Sequence, residues 1–288
     1  MTQSLNGKHP IRLIAVDIDH TLLTSQHQLS PRNEKALQAA LAEGVQVVLA
    51  TGKTYLSAVD LIQRLGLTTP GIFSQGTITV NPDGTVRSQQ VLDPALARQV
   101  ITYAEDRGFS VALYCGNRIL VRSSNARIER LHSRYGEPPP EPVGALQNVL
   151  DALPVNKLIA FTDGDARAIT ALRWQLGMQV NGSARLLQAG VSDMLEVLPP
   201  GASKGAALKA LLKDLKIAPE TVLAVGDAEN DIEMLQLAGI GAAVANASPA
   251  VKAVAKAVVA SHDEDGVAEA VERWVLQPQA AAPQIETA

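Results

Sequence analysis

The sequence predicts an α/β fold: an open parallel sheet with a separate α+β unit inserted into it. Three observations carry that prediction. Apolar runs of the buried-strand type alternate with amphipathic helical segments in the first third of the chain, and the same alternation returns after about residue 194. Between the two blocks the texture changes to short strands and turn signals. The 288 residues are ample for one large domain or two ordinary ones.

Taken in order, IRLIAV (11–16), apolar but for Arg12, is a run of the kind that forms a strand covered on both faces. PRNEKALQAALAEG (31–44) reads as a helix, with Ser30 as N-cap, Pro31 at the first helical position and Gly44 closing it. VQVVLA (45–50) is a second strand, TGKTYLSAVDLIQRLGL (51–67) a second helix and GIFS (71–74) a third strand. Such alternation predicts parallel pairing with right-handed crossovers. NPDGT (81–85) signals a hairpin turn. From there to Asp193, SVALYC (110–115), RILVR (118–122), KLIAFT (157–162), MQVNG (178–182) and RLLQAG (185–190) read as short strands. They are mixed with helices over 93–108, 125–136 and 165–176, and EPPPEP (137–142) reads as a stiff extended surface segment. Residues 83–193 are therefore expected as a domain inserted into a core of 1–82 and 194–288. In the later block, 203–217 and 228–239 read as helices and TVLAVGD (221–227) and IGAAVANA (240–247) as strands. Lys252 to Val259 is expected to continue as helix, and GVAEAVERWVLQ (266–277) as a last amphipathic one. The polar ends, 1–9 and 277–288, are expected to be disordered.

Composition narrows the function classes. The net charge is −4, and Lys and Arg are scattered singly, so no basic stripe points to nucleic acid or anionic lipid. The one cysteine, Cys115, rules out an intrachain disulfide and a cysteine zinc cluster; it reads as a small core residue and fits a reducing compartment. MTQSLNGKHP lacks an apolar h-region, and no run of eighteen apolar residues occurs. A soluble, cytoplasmic protein, monomeric or weakly dimeric, is expected.

Ligands of an open parallel sheet bind at the carboxyl ends of its strands. Asp17 and Asp19 end the first strand, Thr51-Gly52-Lys53 end the second, Ser203-Lys204 open a late helix, and Gly226-Asp227 end a late strand before Glu229, Asn230 and Asp231. Taken alone, Asp17 and Asp19 can start a turn or cap a helix, and Asp227 can be an N-cap with Glu229, Asp231 and Glu233 balancing the positive helix end. Lys53 and Lys204 each fall in the first turn of an expected helix, where the macrodipole disfavours a cation. Either they are solvated, or an anion compensates them, and free helix amides beside a lysine suit phosphate. Asp17, Asp19, Asp227 and Asp231 at one rim would repel one another unless a divalent cation sat between them, and all-oxygen ligands favour Mg²⁺. Combined, these features describe a phosphoryl-transfer site. Asp17, fixed at the strand end, attacks phosphorus, and Asp19 in the loop serves as general acid and base.

On these motifs the sequence resembles the haloacid dehalogenase superfamily and, within it, the Cof-type phosphatases with a large cap inserted after the second motif. DIDHTLL is similar to the family's DxDxT motif, ATGK to its Thr/Ser motif, SKG to its lysine motif and GDAEND to its GDxxND motif, and DEDGVAEAV near the end is also similar. The resemblance implies a Rossmann-like parallel-sheet core with an inserted α+β cap, and Mg²⁺-dependent hydrolysis of a small phosphomonoester, with sugar phosphates first by family analogy. It implies Asp17 as nucleophile and metal ligand, and Asp19 as acid/base that ligates the metal through its backbone carbonyl. Asp227 would be the third protein ligand and Asp231 would support the metal site. Thr51, Lys204 and Asn230 would hold the phosphate, with Gly52 lending an amide. His20, Lys53 and Gln75 depart from the usual Gly, Arg and Asn of that branch. Tyr114, Arg118, Arg122 and Asn181 are candidate substrate contacts in the inserted unit, although Tyr114 can equally be a core residue and the arginines solvated strand edges.

Rival readings remain. GKT lacks a P-loop, because Val47 stands where that loop needs glycine. A phosphoacceptor switch also clusters Asp, Thr and Lys around Mg²⁺, but has no need of Asp19 or of a domain-sized insertion. A mutase or transferase of the same superfamily and a catalytically dead binding module complete the set.

Overall fold

The computed structural model describes residues 11–188 and 191–277. The ends expected to be disordered lie outside the described residues, apart from Gln277, as do the last two residues of RLLQAG.

Strand β1 (Leu13–Val16) is buried throughout, as its unbroken apolar run requires. It runs through a tight turn at Ile18–Leu22 towards helix α1 (Pro31–Ala42), where the Ser30 side chain accepts from the Asn33 amide and Pro31 occupies the first turn. Strand β2 (Gln46–Leu49) follows. The next helix starts later than expected: a 3₁₀ turn covers Leu56–Ala58 and α2 spans Val59–Leu65. The carbonyls of Thr51, Gly52 and Lys53 are spent elsewhere, on the Gln75 amide, the Lys157 ammonium and the Ser74 amide, so they cannot close a first helical turn. Lys53 therefore lies outside any helix, and the macrodipole argument fails there.

Strand β3 (Gly71–Phe73) touches β2's sheet through a single parallel bridge, Ala50–Ile72, where a full third parallel strand was expected. It pairs instead with β4 (Ile78–Val80), which pairs with β5 (Val86–Gln89) across the NPDGT turn. Helix α3 (Pro94–Glu105), β6 (Ser110–Cys115), β7 (Arg118–Val121), α4 (Ala126–Tyr135), β8 (Glu141–Pro142), β9 (Lys157–Phe161), α5 (Ala166–Val180), β10 (Arg185–Leu187) and β11 (Met194–Leu198) then form a second unit. Its sheet has the order β10-β11-β9-β6-β7-β8.

Three expectations change here. MQVNG is no strand, because Met178–Val180 complete α5, whose buried stripe Ile169, Leu172, Leu176 and Val180 keeps helical spacing until Asn181 caps it in the left-handed region. EPPPEP is not a surface segment throughout: Glu137 is buried, and Glu141–Pro142 pair with β7. Met194–Leu198, placed on the core side of the 193/194 boundary, pairs with β9 and β10 in the second sheet.

The chain returns through α6 (Lys204–Leu215), β12 (Val222–Gly226), α7 (Ile232–Leu237), β13 (Ile240–Val244), α8 (Pro249–Val254), β14 (Ala257–Val259) and α9 (Gly266–Val271). The helix expected over 252–259 ends at Val254. Ala257–Val259 instead extend the sheet beside β13, because Val258 and Val259 are β-branched and the Lys256 amide is taken by the Gly241 carbonyl. The main sheet is parallel throughout, in the order β14-β13-β12-β1-β2, and its core includes residues from both ends of the chain. With β1 lying between β12 and β2, the residues that follow β1, β12 and β2 emerge side by side at one edge.

Gly76, in the turn between β3 and β4, has φ +89°, and a Cβ there would lie 2.1 Å from the Ser203 carbonyl oxygen. That close approach seats the turn against the start of α6. Gly76→Ala is expected to destabilise the fold by about 2 kcal/mol or more, from positive φ and collision together; chemical denaturation measures it, and an unchanged midpoint refutes the close approach.

Candidate active site

Val16 and Val225 are register partners, so Asp17 and Asp227 leave neighbouring strand ends within one residue of each other's level. The Asp17 amide donates to the Val225 carbonyl at 3.1 Å, which fixes the start of the loop. Four residues beyond Asp227, Asp231 is wholly buried, and its Oδ2 accepts from the Asp227 and Ala228 amides at 3.0 and 3.1 Å. The turn is thus capped by Asp231 from within. Asp227, weighed as a cap in the sequence, turns its own carboxylate to the cleft and accepts from the Thr21 hydroxyl at 3.0 Å.

Lys204, the first residue of α6, is buried and donates to Asp17 Oδ1 at 2.7 Å and to Asp231 Oδ1 at 2.9 Å. Carboxylate oxygens of Asp17, Asp227 and Asp231 all lie within 4.8 Å of one another, an oxygen-only donor set suited to a hard dication. The fourth expected acid stands apart: the Asp19 carboxylate lies 2.8 Å from the Lys53 ammonium and 3.6 Å from His27 Nδ1. Three carboxylates converge, where the sequence suggested four.

Thr51 is buried, and its hydroxyl accepts from the Lys53 amide at 3.2 Å. A Cβ at Gly52 would lie 2.5 Å from Gln75 Nε2, so any other residue there would displace the Gln75 side-chain amide. Gln75 itself sits at φ +62°, and its Oε1 accepts from Asn230 Nδ2 at 2.8 Å, linking the late acidic loop to the Thr51 loop. The remaining Asn230 oxygen is buried without a partner among the described residues.

Electrostatics follow the packing. Burial pushes the Asp17 carboxyl well above the usual carboxylate range, the Lys204 ammonium opposing and the neighbouring aspartates reinforcing it. Burial, with the Asp231 charge, pushes Asp227 up to about 7. For Lys204 burial acts downward, but Asp17 and Asp231 together hold the ammonium above its ordinary value.

The cleft is closed from above by the second sheet. Tyr114, Glu137, Lys157, Ile159, Val191, Met194 and Glu196 line it opposite Asp17, Asp19 and Asp227. Of the candidate substrate contacts only Tyr114 is there: Arg118 pairs with Glu141, Arg122 with Glu105, and Asn181 ends α5. Lys157, Glu137 and Glu196 were not expected at the cleft from the sequence. A lysine opening the apolar strand KLIAF was the available signal, because a fully buried lysine needs partners. Glu137 accepts from the Thr54 amide and from the hydroxyls of Thr54 and Ser57.

Known proteins agree with this architecture. Residues 14–271 match the model of the haloacid dehalogenase-like hydrolase family. The chain belongs to that family and to its Cof-type branch, with the α/β core and additional sheet that the motifs implied. It is similar to a haloacid dehalogenase-like hydrolase from Bacteroides thetaiotaomicron, with TM-score 0.82 and 27% identity over 91% of this chain and 99% of that one. Among sequences, it is 33% identical over 241 residues to the HMP-PP phosphatase of Cronobacter sakazakii, 83% of this chain and 85% of that one. It is also 35% identical over 272 residues to the chloroplastic endoribonuclease YBEY of Arabidopsis thaliana, 91% of this chain but 46% of that protein, so it spans about half of that relative's length. Named phosphatases within the family support a hydrolase acting on phosphomonoesters. Among the described residues no helix is long and apolar enough to cross a membrane.

The Asp227 shift has a consequence for stability. Its carboxyl titrates near 7 when folded against 3.8 in the unfolded chain, so between those values the native state holds a proton that the unfolded state has lost. The metal-free protein is therefore expected to lose stability as pH rises from about 4 to 7. Thermal melts in chelator check this, and a melting temperature that climbs across that window contradicts the raised value.

Proposed function

We propose that this chain is a Mg²⁺-dependent phosphatase that hydrolyses a small phosphorylated metabolite through an aspartyl-phosphate intermediate. The observation that carries the reading is the buried Lys204 ammonium shared by Asp17 and Asp231, with Asp227 alongside, at the carboxyl edge of a parallel sheet. The donor set fits the metal: crowded carboxylate oxygens whose mutual repulsion raises their affinity for protons are relieved by a dication of hard character. The Asp17 and Asp227 carboxylates and the Asp19 carbonyl would hold Mg²⁺, with Asp231 supporting them. When bound, the ion neutralises charge on the phosphate oxygens and on the carboxylates that face them.

The chain's own residues divide the remaining work. A carboxylate oxygen of Asp17 attacks phosphorus as the ester P–O bond breaks, and Asp19 delivers its proton to the leaving oxygen. Asp19 then takes a proton from water, which attacks the phosphorus of the aspartyl phosphate, releases inorganic phosphate and regenerates Asp17. Asp19 stands outside the triad, against the Lys53 ammonium. The Thr51 hydroxyl, the Gly52 amide, Lys204 and Asn230 hold the phosphate oxygens. Asn230 can reach a phosphate oxygen only through its Nδ2 hydrogens, one of which goes to Gln75. Its buried oxygen, without a partner among the described residues, is an acceptor that fits a water or a ligand hydroxyl.

We divide the chain into a core of 11–89 and 199–277 and a cap of 90–198, because β5 stays with the core-side hairpin and β11 with the second sheet. The cap excludes water and selects the leaving group. A cytoplasmic enzyme without nucleic-acid or membrane partners fits the weak net charge.

Asp17→Asn is expected to abolish turnover of phosphomonoesters with the fold retained by circular dichroism, and appreciable residual activity removes Asp17 from the nucleophile role. Asp19→Asn is expected to slow turnover by roughly 10²–10⁴-fold. Steady-state assays in excess chelator should show no turnover until Mg²⁺ is restored, and undiminished activity in chelator rejects the metal.

A further inference from the structure

The cap presents a charged pair to the cleft that the phosphoryl chemistry leaves unused. Alternate residues of a strand face opposite ways, and on one face of the cap sheet this brings together Tyr114 of β6, Lys157 and Ile159 of β9, and Met194 and Glu196 of β11. The other face is filled by the apolar cluster under α3 and α5. The Lys157 ammonium, 2% exposed as a residue, donates to the Gly52 carbonyl at 2.7 Å and to Glu196 Oε1 at 3.2 Å, and lies 4.3 Å from the centre of the Tyr114 ring. It therefore ties the cap to the loop that carries Thr51 and Gly52. Glu196 is held by that lysine through one oxygen only. Its other oxygen, Oε2, is buried and has no hydrogen-bond partner among the described residues, although the residue lines the same cleft as Asp17.

A carboxylate oxygen left unsatisfied in a cleft costs free energy until a donor reaches it. We propose that Glu196 is the residue that reads the leaving group, with Oε2 accepting a hydrogen bond from a hydroxyl or amino group of the substrate. Lys157 is the positioning residue that fixes Glu196 and the Gly52 peptide together. The preferred substrates are then phosphomonoesters whose alcohol portion carries a hydrogen-bond donor beside a face that packs on Ile159 and Met194. This rests on the phosphatase reading above.

Selectivity measurements separate the two. The kcat/KM values of the purified full chain with Mg²⁺ are compared for phenyl phosphate, which offers no donor, aminophenyl phosphate, which offers an amine, and sorbitol 6-phosphate, which offers hydroxyls. Glu196→Gln keeps the shape and can keep the bond to Lys157, but places an amide donor where Oε2 stood. The ratio of kcat/KM on a donor-bearing ester to that on phenyl phosphate is expected to fall at least ~10-fold in Glu196→Gln. A fall with the amine alone or the polyol alone identifies which donor Glu196 reads. Lys157→Met is expected to reduce the same ratio and to raise KM on every ester. An equal loss on all three esters, or no loss, in a variant whose thermal melt matches the parent overturns the role of Glu196. Absence of turnover by the parent on all three overturns the phosphatase reading and this one with it.

Discussion

The buried ammonium of Lys204 is the constraint on which the rest of this site depends. A lysine at the first position of a helix is disfavoured by the macrodipole, and burial disfavours it further. It is stable here because two carboxylates from distant parts of the chain accept from it, Asp17 from the first strand and Asp231 from the turn after β12. Removing either partner would leave a charge buried with half its compensation. The same geometry explains why Asp227 faces the cleft: Asp231, held by Lys204, caps the turn, and Asp227 is released from that task.

Around this centre the loops are fixed by close approaches. Gly76 lets the β3–β4 turn lie against Ser203, Gly52 leaves room for Gln75, and Gln75 accepts from Asn230. Four segments of the chain are thereby referred to one another. The cap adds its own clasp from above, with Lys157 on the Gly52 carbonyl and Glu137 on Thr54 and Ser57, so both ends of one short loop answer to the cap's position.

Much of this was legible in the sequence where local pattern and tertiary demand coincide. The apolar strands β1, β2 and β12, the Ser30-Pro31 helix start and the helix opened by Ser203-Lys204 read correctly as elements, and Asp17, Lys204, Asp227 and Asp231 as neighbours at one edge. The failures share a cause. Residues 51–55 and 257–259 took conformations set by partners more than a dozen residues away, the Gln75 amide and the Lys157 ammonium for the first and the Gly241 carbonyl for the second, and such partners leave no local trace. Met178–Val180 carried strand-like letters, but the apolar stripe of α5 runs on to Val180 and decided them. Asp19 shows the limit for the site itself: sequence placed it beside Asp17, and only the reach of Lys53 turned its side chain away from the triad.

The parallel pairing of β1 with β12 also bears on how the protein is made. Strand β1 leaves the ribosome at residues 13–16, and its partner at 222–226 emerges some two hundred residues later. At an elongation rate of about 5–20 residues per second that interval is roughly 10–40 s. Throughout it one side of β1 has no native neighbour, while the inserted sheet receives its last strand at Met194–Leu198, before β12, and can consolidate first. The nascent chain thus carries a finished upper half over an open apolar edge, and shielding that edge falls to chaperones until β12 arrives.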